Sequence, residues 1–501
     1  MLKRSRALTS VAVIAVIAGI GAPAWADTLQ EAIALAYRTN PSLLAQRANQ
    51  RALDESIVQA RAGLRPTLDV TLSGSYTRTD SPVTGTPPFT SGGVDDSDSA
   101  SASIGLGQNI WTGGRVAHAI TAAEADILAG RENLRDIEQS VLALVIQSYA
   151  DVIRDTEILR IREANLTVLR RQLDESTARF EVGEITRTDV AQSEARLAQS
   201  EADLANARAQ LSVSRAAYAA VVGQTPGDLA PMPVLPGVPS DFDAALDVAL
   251  VDNPGVRAAT YTLQAAEANV AAAKAEFLPS LRATASYGGS NADFDRIGDI
   301  GDNTRLTAGA TLSVPLFTGG LNSSRVAQAL ERSNAAQISV EGERRNTLQA
   351  VSSAYAQSIS ARATLQAGQE AVRAATVAAE GVRQEAQVGL RTTLDVLNQE
   401  LELRNAEVTL ASAQRNEYVA QANLLAAMGR LEGPDLDPTL TAYDPAANYQ
   451  RVRNRGALPW DGVVETLDRV AAPRITPAAD AEDAPVDAQL KSEIVRTAPR
   501  D

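Results

Sequence analysis

Apolar and polar residues alternate with a period of two in four stretches of this chain. Leu68, Val70, Leu72 and Tyr76 alternate with Thr67, Asp69, Thr71, Ser73 and Ser75, and Ala100, Ala102, Ile104 and Leu106 with Ser99, Ser101, Ser103 and Gly105. Leu281, Ala283, Ala285 and Tyr287 alternate with Arg282, Thr284 and Ser286; Leu306, Ala308, Ala310, Leu312 and Val314 do so with Arg305, Thr307, Gly309, Thr311 and Ser313. A period of two predicts strands with one apolar and one polar face. Each is about 10 residues long, the length of a tilted strand crossing a membrane. Segments 79–98 and 288–303, rich in Gly, Ser and Asp, are predicted to be exposed loops within each pair.

Elsewhere the period is seven. Val145, Val152, Leu159, Leu166, Leu173 and Phe180 mark a proline-free run from Arg115. As one helix it would extend about 100 Å. A break at Gly183 precedes a returning helix marked by Val190, Leu197, Leu204, Leu211 and Tyr218. A second long run breaks at Gly389 and returns with Val396, Leu403, Leu410 and Leu424, interrupted by Glu417. Sustained heptads predict coiled-coil packing. Shorter amphipathic helices are predicted before each strand pair, over Leu29–Arg38 and Ser42–Arg61, then Phe242–Val251 and Gly255–Glu276. Asn40-Pro41 and Asn253-Pro254 separate the members of each helix pair.

These patterns are one unit written twice. Asn40-Pro41 and Leu64-Arg65-Pro66 recur 213 positions later as Asn253-Pro254 and Phe277-Leu278-Pro279. Trp111-Thr112-Gly113-Gly114 recurs 206 positions later as Phe317-Thr318-Gly319-Gly320, and so do Tyr149, Val182-Gly183, Asp189-Val190 and Gly223. The expected organisation is a first repeat over 27–224, a Pro-rich linker over 225–240, a second repeat over 241–430, and a tail over 431–501 that is disordered beyond 470.

Residues 1–26 read as a secretory signal: Lys3, Arg4 and Arg6, a short apolar run, then Ala24-Trp25-Ala26. The mature chain is expected to begin at Asp27, without a lipid anchor because no Cys follows. Losing those three cations takes the net charge from −15 to −18, which argues against nucleic acid as a partner. With no Cys and the single His118, thiol chemistry and zinc clusters are excluded. No catalytic set or cofactor motif is present. His118 reads as a packing or surface residue, and Asp95, Asp96 and Asp98 as a solvated acidic run rather than a calcium site. Aromatics make up only 4%, which suits long helices packed closely side by side.

Four spanning strands cannot close a barrel alone, and an open edge in lipid would leave backbone groups unpaired. Copies of the chain must pool their strands, two copies giving eight and three giving twelve. The polar helices must then project into the periplasm.

On these residues the chain resembles the TolC-type outer-membrane channels over about 28–429. The Val-Gly-x5-Asp-Val motifs at Val182–Val190 and Val388–Val396 are the most specific part. The resemblance implies an internally duplicated α+β membrane protein: a homotrimer with a twelve-stranded barrel and a twelve-helix periplasmic α-barrel. It implies an exit duct for type I protein secretion or tripartite efflux, opened when an inner-membrane ABC or proton-driven transporter and a periplasmic adaptor dock. By the same resemblance Asp395 lines the constriction, with Asn398 where some members carry a second aspartate. Arg391 latches to Thr188 and Asp189 of a neighbouring copy. Val182, Gly183, Val388, Gly389 and Leu390 meet the adaptor. The latch tyrosine of the family falls at Ala386 and is missing. A periplasmic coiled-coil adaptor or scaffold, with the strands forming a soluble sheet, is the alternative.

Overall fold

A computed structural model describes residues 28–84, 91–291, 301 and 303–477. The expected signal segment, the Asp27 start and the end of the tail lie outside the described residues. The first repeat runs α1 (Leu29–Thr39), α2 (Pro41–Asp54), α3 (Ser56–Ala62), β1 (Thr67–Thr84), β2 (Ser91–Trp111), α4 (Arg115–Glu181) and α5 (Arg187–Val222). The second runs α6 (Phe242–Asp252), α7 (Pro254–Ala275), β3 (Ser280–Asn291), β4 (Thr304–Ser313), α8 (Leu321–Gln387) and α9 (Thr393–Ala427). The tail adds α10 (Gly433–Leu436), α11 (Ala446–Val452) and α12 (Asp461–Asp468).

The repeats share their punctuation. Asn40 caps α2 by accepting from the Ser42 and Leu43 N–H groups, while its Nδ2 donates to Val221 O near the end of α5. Asn253 accepts from the Gly255 and Val256 N–H groups and donates to Ala427 O at the end of α9. One side chain thus satisfies orphan groups at both a helix start and a helix end. Tyr149 donates its hydroxyl to Ala230 O and Tyr355 to Ser240 O, so equivalent tyrosines hold two points of the linker.

The sheet is antiparallel in the order β1-β2-β3-β4, leaving β1 and β4 as edges within one chain. Its register gathers the apolar residues into rows. Val70 lies opposite Ile104, which lies opposite Tyr287, which lies opposite Leu306; Leu281 lies opposite Leu312. Leu68, Val70, Leu72, Leu306 and Leu312 are exposed, and Leu281 is partly so. The other face carries Ser, Thr, Gly and Asp, with Ser73 and Ser101 hydroxyls 2.6 Å apart. This is one apolar face and one wet face, as the alternation predicted.

Three expectations are corrected. Segment 79–98 is not simply a loop: β1 continues to Thr84 and β2 begins at Ser91, with Arg78 opposite Asp96 and Thr79 opposite Asp95. A partner strand satisfies the backbone even where both faces are polar, so composition misread the strand ends. Likewise β3 continues to Asn291. The helix expected over 42–61 breaks at Glu55, where Asn448 of the tail donates to the buried Asp54 (2.8 Å) and reaches the Arg51 carbonyl.

The main core lies where α1, α4, α5, α9 and the linker meet. It includes Ile33, Leu142, Val145, Ile146, Tyr149, Val152, Leu211, Tyr218 and Leu425, with Tyr149 and Tyr218 centroids 6.4 Å apart. Further along α4 and α5 the seam turns polar: Asp155 accepts from Ser214, Asn165 donates to Ser200, and Ser176 meets Ser193. Buried polar pairs in a coiled-coil seam fix register. The heptad residue Phe180, near the tip, is exposed rather than packed.

The tail docks on the first repeat. Asp468 is fully buried at the start of α4, where it accepts from the Thr112 N–H and hydroxyl and from the Ala117 N–H. Trp111 Nε1 donates to Val470 O, and Arg65 pairs with Asp461 at 2.9 Å.

Candidate functional site: the two helical tips

The far ends of the α4–α5 and α8–α9 hairpins are built alike. Each long helix ends at a valine, Val182 or Val388, followed by Gly183 or Gly389 with φ of 80° and 78°. Such a turn needs glycine. Each returning helix then starts with a capping box, Thr186 with Asp189 and Thr392 with Asp395. Val182, Val388 and Leu390 project into solvent, although apolar.

Asp395 Oδ2 accepts from the Thr392 N–H and hydroxyl, and its own N–H donates back to Thr392 Oγ1. Its carboxyl is held below the usual carboxylate range by the Thr392 backbone bond first and the hydroxyl second. Asp189 is lowered in the same way by the Thr186 hydroxyl and then its backbone. Both aspartates are therefore N3 residues of a cap within each chain. Asn398 lies one turn beyond Asp395 and accepts from Arg196 Nη2 at 3.0 Å, which ties α5 to α9.

Arg391 pairs within its own tip, donating Nε to Glu385 Oε2 at 2.7 Å. Thr188 is exposed on the first turn of α5. Asp189 and Arg391 both line one groove of about 600 Å³ between the tips of a single chain, together with Arg179, Glu184, Arg383 and Glu400. Glu400 is buried in that groove's wall between Arg383 and Arg404.

Several of these groups escaped the sequence reading. Glu385 and Arg179 are each near a tip, and a charge facing its opposite across a five- or six-residue turn was the available signal. Arg179 pairs with Glu184 at 2.7 Å, which lowers the Glu184 carboxyl. Buried Glu400 had no signal beyond its place on the apolar side of α9. Among the described residues no cluster of three His, Cys, Asp or Glu forms a metal site, and no helix is long and apolar enough to cross a membrane.

The comparisons with known proteins agree with this architecture. The profile of the family described as "Outer membrane efflux protein" matches residues 32–224 and 245–430. Outer membrane efflux protein BepC of Brucella suis is 34% identical over 443 residues, covering 88% of this chain and 93% of that protein. Alkaline protease secretion protein AprF of Pseudomonas aeruginosa is 28% identical over 351 residues, covering 69% of this chain and 73% of that one. The crystal structure of the Campylobacter jejuni CmeC outer membrane channel superposes with a TM-score of 0.71 at 16% identity, covering 85% of this chain and 89% of that chain. The repeated hairpins, the half-apolar sheet and these matches converge, and the chain belongs to the outer membrane efflux protein family, as an outer-membrane channel protein with a periplasmic helical extension.

Proposed function

We propose that three copies close a twelve-stranded outer-membrane barrel continuous with a twelve-helix periplasmic tunnel, and that this homotrimer is a passive exit duct. The observation that carries this reading is the sheet itself: four strands, an apolar face, and two free edges in one chain. In lipid those edges must pair, and β4 of one copy with β1 of the next satisfies both. The duct serves type I protein secretion, tripartite efflux, or both. It is opened by an inner-membrane transporter and a periplasmic adaptor that meets Val182, Gly183, Val388, Gly389 and Leu390.

In this reading Asp395 and Asn398 line the constriction, and Arg391 bridges to Thr188 and Asp189 of the adjacent copy. Three inward carboxylates attract cations. The apolar side chains displayed at the tips support a protein partner there, because solvent alone gives no reason to expose them. The mass of the particle extracted from outer-membrane fractions tests the assembly: a trimer is expected, and a monomer that makes no channels in planar bilayers would overturn it. Loss of the gene should raise sensitivity to dyes and detergents if efflux is served, and remove a secreted protein from the medium if secretion is served.

A further inference from the structure

The two strand-to-helix junctions have the same sequence pattern but opposite surroundings. At the first, Thr112 is buried and Trp111 bonds the tail; a Cβ on Gly114 would lie 2.3 Å from Ala472 Cβ. At the second, Gly320 has nothing within 4 Å, and Leu316 and Phe317 are 93% and 90% exposed. Gly114 and Gly320 share a backbone conformation, with φ of 87° and 86°. The junctions are therefore the same device, and among the described residues the tail covers only one of them.

The tail helix α12 has a second face. Val464 and Asp468 are buried against the first repeat, whereas Trp460, Val463, Leu467 and Val470 are exposed. Spacings of three and four put Trp460, at the N-cap, with Val463 and Leu467 on one helical stripe, and Val470 follows just past the helix end. The acidic residues of α12 are committed to the first repeat, Asp461 with Arg65, Glu465 with Arg61, and Asp468 buried. No Lys or Arg lies within α12 to flank the stripe, as a helix held on a lipid surface needs. The stripe thus fits an apolar protein surface.

Continuity of the sheet says which one. The Arg65–Asp461 pair places the start of α12 beside the entry to β1, and Trp111 places its end beside the exit of β2. If β4 of a neighbour pairs with β1, its exit at Ser313 lies one strand spacing, about 4.8 Å, from that entry. The neighbour's Leu316 and Phe317 then arrive at the side of α12 away from its own junction. We propose that the exposed stripe of α12 is the docking surface for the second-repeat junction of a neighbouring copy of this chain. Leu316 and Phe317 of one copy pack on Trp460, Val463 and Leu467 of the next. Each tail covers two junctions, its own and its neighbour's. The inference rests on the ring closure proposed above.

The chain has no Cys, so site-directed cross-linking is clean. The full-length protein carrying Phe317→Cys with Val463→Cys, or Phe317→Cys with Trp460→Cys, is treated in membranes with a short bismaleimide. A covalent trimer is expected on a denaturing gel from a double variant, and none from any single variant. A parallel pair, Thr67→Cys with Ser313→Cys, reports the strand seam independently. A cross-linked seam with neither tail pair cross-linked overturns the docking surface and leaves the ring standing. Failure of all three pairs removes the ring and this inference with it. Labelling of Phe317→Cys in the intact particle by a maleimide confined to the bilayer would show that lipid covers the junction, and would also overturn it.

Discussion

Arg391 and Glu385 close the second tip with a 2.7 Å ion pair, and the first tip closes the equivalent turn with the charges reversed, Arg179 to Glu184. Glu385 therefore competes with any between-copy partner of Arg391. Arg391→Ser is expected to raise single-channel conductance in planar bilayers severalfold, by releasing the latch proposed above. Glu385→Gln should act in the opposite direction, freeing Arg391 for Thr188 and Asp189 and lowering the open fraction. Equal effects of the two changes would refute the competition.

Asp395→Ala should weaken block by multivalent cations applied from the periplasmic side while leaving the assembly intact. The pH dependence follows from the capping box. Asp395 sits below its usual range because Thr392 hydrogen-bonds its ionised form. Block should fade as pH falls and the carboxylates protonate, the cap delaying that fade and repulsion within a ring of three advancing it. Thr392→Ala removes the hydroxyl contribution, so the fade should begin at higher pH; an unchanged profile would place the blocking carboxylate elsewhere.

Val70→Arg and Leu312→Arg each put a cation on the apolar face of the sheet. At mid-membrane depth this costs about 2–4 kcal/mol. Yield of heat-modifiable trimer from outer-membrane fractions should fall sharply for both, and normal yield from both would remove the spanning assignment.

Asp468→Ala leaves the N–H groups of Thr112 and Ala117 buried at the start of α4 without their acceptor. Losing a buried charged cap of this kind should destabilise the docked tail by roughly 2–5 kcal/mol. Limited proteolysis should cut within the tail faster than in the parent, with Asp468→Asn intermediate because one oxygen still accepts.

What was legible in the sequence is what repeats. Period two marked β1 to β4 and period seven marked α4 and α5, because both signals depend only on near neighbours, and the duplication showed when the chain was matched against itself at a constant displacement. Asp468 reaches Thr112 across 356 positions, and nothing local to either residue announces the pairing. The strand ends near Asp95 and Asp96 were hidden for the same reason, since only the partner strand makes them strand. Asp395 and Arg391 were found at the tips through their motif, but their bonds to Thr392 and Glu385 depend on turn geometry.

The hairpins differ in length. β1 and β2 span 18 and 21 residues, β3 and β4 12 and 10; shared between two strands, the extra residues of the first hairpin, 213 less 206, add about 12 Å before tilt. The excess falls between Pro66 and Trp111, where the displacement drops from 213 to 206 positions, and it leaves the helical hairpins in step. The strand pairs can thus differ in length without moving the helical hairpins beneath them. A closed ring would alternate the longer strand pair with the shorter one around its circumference.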